Sequence, residues 1–299
     1  MIRRRDFLSG SAAALTAPWL AATCANRASA APAGPGFKLG CVTHQLFAEY
    51  DLDSIIKILE TAGFEGVELR TTEDEPGGHA VGAKGQKHGV EPSISQAERA
   101  RVRKRFEATK VRLVGLGSVC EFQSADAAER KRQVVKCKAF IDLAKDVNAM
   151  GVKVRPYGWG TEPDHQVTVK HIGECLREVG EYAAPHNIQI LMEFHDEGHR
   201  EDKQMMELAG LKNVGLTWNS AEQDIQNGSV EECWDILGRW VRVAHVHDPW
   251  VRPYPYKELF SIMRAAHFNG YTHYEGPAQG DITEFLKKYR AWWLENTKG

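Results

Sequence analysis

The chain has 299 residues, 42% hydrophobic and 26% charged, with a formal net charge of -2. This is ordinary soluble-globular composition, long enough for one large barrel or two smaller domains. The near-neutral balance points to neither nucleic acid nor an anionic membrane as a partner.

The N-terminus differs from the rest. Arg3, Arg4 and Arg5 precede a small, modestly apolar run from Phe7 to Ala22, and "RASA" then places Ala28 and Ala30 in an A-x-A cleavage pattern. Residues 1–30 read as a signal peptide and stand apart from the fold. "RRRDFL" resembles the twin-arginine export signal, with Phe7 and Leu8 after the arginines. The alternatives are an ordinary secretory signal or a basic tail. Cys24 in "LAATC" suggests a lipoprotein box, but Thr23 fits poorly before it, so cleavage after Ala30 and a periplasmic location are expected. Five cysteines then remain, with no CxxC spacing, which is not a disulfide framework. They read as buried thiols.

Residues 31–36 form a Pro/Gly linker, and 37–299 alternate strand and helix. "FKLGCVTHQL" is strand one. "DLDSIIKILETA" has helix period, with Asp51 or Asp53 as N-cap and Gly63 as stop. "FEGVELR" is strand two, followed by a Gly- and charge-rich loop from Thr71 to Pro92. "SISQAERARVRKRFEAT" is a helix capped at Ser93 or Ser95. "VRLVGLGSV" is strand three, and a long helix opens on Ser124 or Asp126. "GVKVRPYG", "IQILMEF", "VGLTWN", "VRVAHVH" and "YTHYEG" supply strands four to eight, each followed by a helical stretch. Short, apolar strands alternating with helices fit a (β/α)8 TIM barrel of one domain. The competing doubly wound sheet usually carries a Gly-rich phosphate turn after strand one, and "CVTHQLF" has none.

A barrel of this kind keeps its active site at the C-terminal strand ends. Those ends carry His44 and Gln45 (strand one), Glu68 and Arg70 (two), Arg155 (four), Glu193 and His195 (five), Trp218 and Asn219 (six), His245, His247 and Asp248 (seven) and Glu275 (eight). Carboxylate, amide and imidazole together suit one divalent cation such as Mn, Mg, Co or Zn. Without thiolates, a structural zinc cage is disfavoured. Two carboxylates in one buried mouth repel unless a cation lies between them.

Strands five to eight resemble the xylose-isomerase-like TIM barrels, which include sugar isomerases and epimerases, inosose dehydratases, hydroxypyruvate isomerases and endonuclease IV. "EFHD" matches the family's Glu on strand five, and Asn219 in "GLTWNS" stands where many members have Asp. His245 in "HVHD" and Glu275 in "THYEG" match on strands seven and eight. The resemblance covers the mature chain in order and spacing. It implies a metal held by Glu193, Asn219, His245 and Glu275, with Glu193 and Glu275 as acid and base on opposite faces of a sugar. Asn219 makes the site less negative, and Glu222 replaces the histidine that endonuclease IV needs, which argues against DNA repair.

Each residue has a plainer reading. Glu193 could be a solvated strand end. His247 shares a face with His245, and His195 with Glu193, because strand side chains alternate. Both are candidates to bind substrate, and His247 is equally a structural histidine. Arg155 could clamp a substrate or pair with a barrel carboxylate. Trp218 and Trp250 could stack on a sugar ring or pack in the core. His44 is a further substrate-facing candidate. Asp196, Glu197 and His199 read as loop or helix-cap residues, and Asp248 as a turn or an orienting group. "HAVGAKGQKHG" could be a lid bearing His79 and His88.

The expected activity is therefore a metal-dependent sugar or keto-sugar isomerase or epimerase. Elimination on the same site, as a dehydratase or lyase, is the alternative, and a non-catalytic periplasmic sugar-binding barrel is another. The implied partners are a small-molecule carbohydrate, the twin-arginine export machinery and, as an open alternative, a second copy of the chain. Nucleic acid is not among them.

Overall fold

The computed structural model describes residues 35–71, 86–156, 158–195, 197–226 and 228–298. The signal segment, His79 and Asp196 lie outside them. Eight parallel strands close into a barrel in sequence order: β1 (Lys38–Val42), β2 (Gly66–Arg70), β3 (Arg112–Gly117), β4 (Gly151–Val154), β5 (Gln189–Glu193), β6 (Val214–Asn219), β7 (Val241–Val246) and β8 (Tyr271–Tyr274). The helices are α1 (Leu52–Ala62), α2 (Gln96–Glu107), α3 (Ala127–Val147), α4 (His165–Ala183), α5 (His199–Ala209), α6 (Gln223–Gln226), α7 (Val230–Leu237), α8 (Tyr256–Ala265) and α9 (Ile282–Asn296). The expected (β/α)8 barrel is present, with one addition: α6 is an extra turn between β6 and α7.

Local chemistry sets the helix starts. Asp51, not Asp53, caps α1 by accepting from the Ser54 N–H at 2.8 Å. Ser95, not Ser93, caps α2 through a reciprocal box with Glu98. Asp126 caps α3 by accepting from the Ala128 N–H. Gly63 ends α1 at φ 75°, a left-handed conformation that costs glycine nothing.

Two cores form. The large one fills the space between sheet and helices, with Phe47, Ile55, Phe140, Ile190 and Phe260 fully buried. The small one plugs the barrel floor with Val114, Leu191, Val243 and Tyr271. Above that plug the interior turns polar: Glu68, Lys153, His245 and His273 are all buried. The polar layer fits because the barrel wall is thinned. A Cβ on Gly40 would sit 2.4 Å from the His273 ring, and one on Gly117 would sit 2.7 Å from Glu68 Oε1. All five described cysteines are buried free thiols, as expected.

Candidate functional site

Strand alternation aims Glu193 and His245 into the barrel, and register brings their neighbours alongside. Asn219 pairs in register with His245 across β6 and β7, and His245 with His273 across β7 and β8. His245 Nδ1 lies 2.6 Å from Glu193 Oε1 and 3.1 Å from Glu275 Oε2. It makes hydrogen-bond geometry with neither. On the ring's other side, Nε2–H donates to Glu68 Oε2 at 3.4 Å. A histidine fixed through one nitrogen turns the lone pair of the other toward a metal. Three donor atoms from β5, β7 and the residue after β8 thus converge on one point.

Lys153, from β4, completes the cluster. Its Nζ donates to Glu193 Oε2 at 2.6 Å and lies 3.9 Å from Glu68 Oε1. Its side chain is 3% exposed. Glu68, Glu193 and Glu275 against one ammonium leave two net negative charges, which a single divalent cation balances with His245 neutral. An orphaned ring nitrogen facing two carboxylates, with that charge deficit, fits a bound metal.

The electrostatics agree with the geometry. Burial pushes the Glu193 carboxyl up, but Lys153 and His245 beside it hold it well below the usual carboxylate range. Glu275 is likewise lowered against burial, chiefly by His245. Burial works to lower His245, and Glu275, Glu193 and Glu68 outweigh it and raise its pKa well above normal. Burial keeps His195 and His247 low, so both are neutral imidazoles near pH 7. His273, beneath His245, is pushed down to about 3 by burial.

The remaining residues sort by contact. His195 lies 3.8 Å from Glu193 through Nε2, and His247 Nε2–H donates to Asn219 Oδ1 at 3.0 Å. Both stand at the rim, partly exposed. Asn219 is buried in the mouth, and its carbonyl oxygen retains a second lone pair. Arg155 pairs with Glu121 at 3.5 Å, so it is engaged with a carboxylate of the loop after β3. His44 sits half-buried just past β1, its carbonyl accepting from Gln86 Nε2. Glu197 is buried and ties two loops, accepting from the N–H of Gly158 and of His195.

Other candidates lie away from the mouth. Trp218, expected either to stack on a sugar or to pack in the core, takes the core place: it is 0% exposed, its Nε1–H donating to Tyr254 Oη. Adjacent strand residues point to opposite faces, so the placement of Asn219 inside sends Trp218 outside. Trp250 packs edge-on against Phe285, Tyr289 and Trp292 instead of facing the barrel. Asp248 takes the turn reading of its two, accepting from the Trp250 N–H. Most of the segment read as a lid lies outside the described residues; His88 at its end is buried, bonded to the Arg70 carbonyl and the Val90 N–H. His199 is the first residue of α5, just inside the Gly198 cap, and is buried. Lys153 and His273 were not among the sequence candidates.

A family model described as xylose isomerase-like TIM barrel matches residues 56–295. No curated protein sequence matches significantly. Solved structures match in fold at low identity. The IOLI protein with a bound zinc atom is 14% identical at a TM-score of 0.70, covering 87% of this chain and 98% of its own. The 3-keto-D-glucoside 4-epimerase YcjR of E. coli is 13% identical at 0.68, covering 87% and 99%. The probable 3-DHS dehydratase AsbF of Bacillus anthracis is 13% identical at 0.65, covering 86% and 98%. With 240 consecutive residues under the model, and with the barrel closed as that family closes it, this chain belongs to the xylose isomerase-like TIM barrels.

Proposed function

We propose that the protein is a metal-dependent sugar or keto-sugar isomerase or epimerase that removes the proton next to a carbonyl. The observation that carries this reading is the convergence of Glu193 Oε1, His245 Nδ1 and Glu275 Oε2 around an imidazole nitrogen that has no hydrogen bond. Glu193, His245 and Glu275 would hold the ion, with Asn219 in register to add its amide oxygen. A bound divalent cation supplies polarisation of the substrate carbonyl and offsets the negative charge that develops on deprotonation.

The protein's own groups do the rest. Glu193 and Glu275 come from different strands and reach the donor point from two sides, as a base and an acid on opposite faces of a sugar require. Lys153 keeps Glu193 ionised and oriented. His195 and His247, neutral at the rim, can donate to or accept from sugar hydroxyls. Burial of the cluster strengthens each of these contacts relative to water.

The test is proton exchange. The protein is incubated with Mn2+ and a panel of free and oxidised sugars in D2O, and deuterium is sought at the carbon beside the carbonyl. Incorporation is expected, and Glu275→Gln is expected to lower it roughly 100- to 10,000-fold with unchanged circular dichroism. No exchange on any sugar, with metal bound, would sink the reading. Exchange accompanied by loss of water would move it to a dehydratase on the same residues, the class to which one matched fold belongs. We also infer export through the twin-arginine route, with cleavage after Ala30, on the strength of Arg3–Arg5, Phe7, Leu8 and "RASA". N-terminal sequencing of the mature chain should begin at Ala31. A free sugar is then a better substrate than a cytoplasmic sugar phosphate.

A further inference from the structure

A second group of donor atoms lies outside the barrel. His199 starts α5, and Asp202 follows one turn later. Asp224 sits on α6 and Cys233 on α7. The donor atoms of His199, Asp224 and Cys233 all lie within 4.8 Å of one another, with His199 Nε2 4.0 Å from Asp224 Oδ1. Phe194 and Trp218, the outward-facing neighbours of Glu193 and Asn219, wall this pocket from the mouth. Phe194 meets the His199 ring edge-on at 6.0 Å and the Trp218 ring at 5.6 Å.

The pocket holds polar atoms with no protein partner. Both ring nitrogens of His199 lack a hydrogen bond, although the residue is 9% exposed. Both carboxylate oxygens of Asp202, 1% exposed, lack one too. Asp224 is oriented: Oδ2 accepts from Tyr254 Oη–H at 2.6 Å and from the Ala221 N–H at 3.2 Å, which leaves Oδ1 toward His199. Among the described residues no lysine or arginine pairs with Asp202 or Asp224. Burying the Asp202 carboxyl and the His199 imidazole without a partner is unfavourable, because neither regains the hydrogen bonds it made to water. A cation among them offsets that loss.

We propose that His199, Asp224 and Cys233 bind a Zn2+ ion, in a pocket that also buries Asp202 one turn along α5 from His199. Nitrogen, oxygen and sulfur together select zinc over Mg or Ca, because the thiolate is soft. Burial behind Phe194 and Trp218, away from the barrel mouth, makes the site structural. Ligand atoms around tetrahedral zinc stand about 3.3–3.8 Å apart at bond lengths of about 2.0–2.3 Å. The observed spread therefore needs an inward movement of about 1 Å by side chains on three separate helices. The ion would staple α5, α6 and α7, and through the Ala221–Asp224 bond it would fix the turn that follows Asn219.

Cobalt substitution tests this on the full chain, because thiolate-bound Co2+ gives a near-ultraviolet charge-transfer band. The three residues that converge in the mouth include no cysteine, so they cannot give that band. The band is expected in the parent protein and in Glu275→Gln, and it should vanish in Cys233→Ser, His199→Gln and Asp224→Asn. Zinc content should fall by one equivalent in the same three variants. Three separate variants guard against one that fails to fold. No band in the parent protein, with Co2+ bound at the mouth, would overturn the proposal. So would a band that survives Cys233→Ser, since it would then belong to another thiol.

Discussion

The barrel mouth and the pocket behind β5 and β6 both bury carboxyls beside a histidine, yet they handle the charge in opposite ways. In the mouth every carboxylate has a lysine or a histidine within reach: Lys153 for Glu193 and Glu68, and His245 for Glu68, Glu193 and Glu275. Glu193 and Glu275 are held low accordingly. In the pocket, Asp202 and Asp224 are buried near His199 and Cys233, and among the described residues no lysine or arginine pairs with either. Burial pushes Asp224 up to about 7 and Asp202 well above the carboxylate range. The mouth is preorganised for ionised carboxylates, which suits metal ligation and proton transfer at neutral pH. The pocket is organised only once a cation or protons arrive.

Breaking the mouth's arrangement should have the larger effect. In Lys153→Met the side chain keeps its length and loses its charge. Glu68 and Glu193 would then share His245 alone at the barrel centre. Removing one partner of a buried pair costs about 3–5 kcal/mol, and urea denaturation of metal-free protein should show a loss of that size. Added Mn2+ should recover part of it, because a ligand that binds only the folded state stabilises it by mass action. The parent protein should gain less from the same Mn2+. If the variant lost under 1 kcal/mol, the Lys153 contacts would contribute little net stability and the charge argument for the mouth would fail.

Much of this was legible in the amino-acid order. Eight apolar runs alternating with helix-period segments dictate the barrel, and Asp51, Ser95 and Asp126 advertise helix starts by side-chain chemistry that acts within three residues. Glu193, His245 and Glu275 were readable because strand ends become the mouth in this architecture. Lys153 was not, because "GVKVRPYG" reads as an apolar strand and Arg155 draws attention as its polar end. The same alternation that puts Val152 and Val154 toward the helices sends Lys153 inward, so the signal existed one period below the strand end. Applied to Trp218, that rule would have placed it in the core. The pocket was beyond reach of this reasoning. Its four residues come from three helices with no repeating spacing, and only the packing of α5 and α7 over β5 and β6 brings them together.

The smallest expected effect sharpens the contrast through pH. The folded-state pKa of Asp224 is raised from 3.8 to about 7, first by burial. The folded protein therefore holds a proton that the unfolded chain releases, and stability is lost as pH rises through that window. Asp224→Asn removes this liability while the amide oxygen still accepts from Tyr254 and Ala221, and the amide N–H can donate to the orphaned His199. In chelator-treated protein the variant should match the parent near pH 4 and exceed its melting temperature by a few degrees at pH 7. Asp202 shifts in the same direction as Asp224, and burial lowers His199, which acts with the opposite sign. The charge of Asp224 is one of the causes that raise Asp202, so removing it relieves Asp202 as well, and both changes favour the variant at pH 7. With zinc bound the order should reverse, because the parent would then possess an ionised ligand that the variant lacks. A difference that stays flat from pH 4 to 7 would mean that Asp224 is ionised throughout and that the pocket already contains its compensating charge.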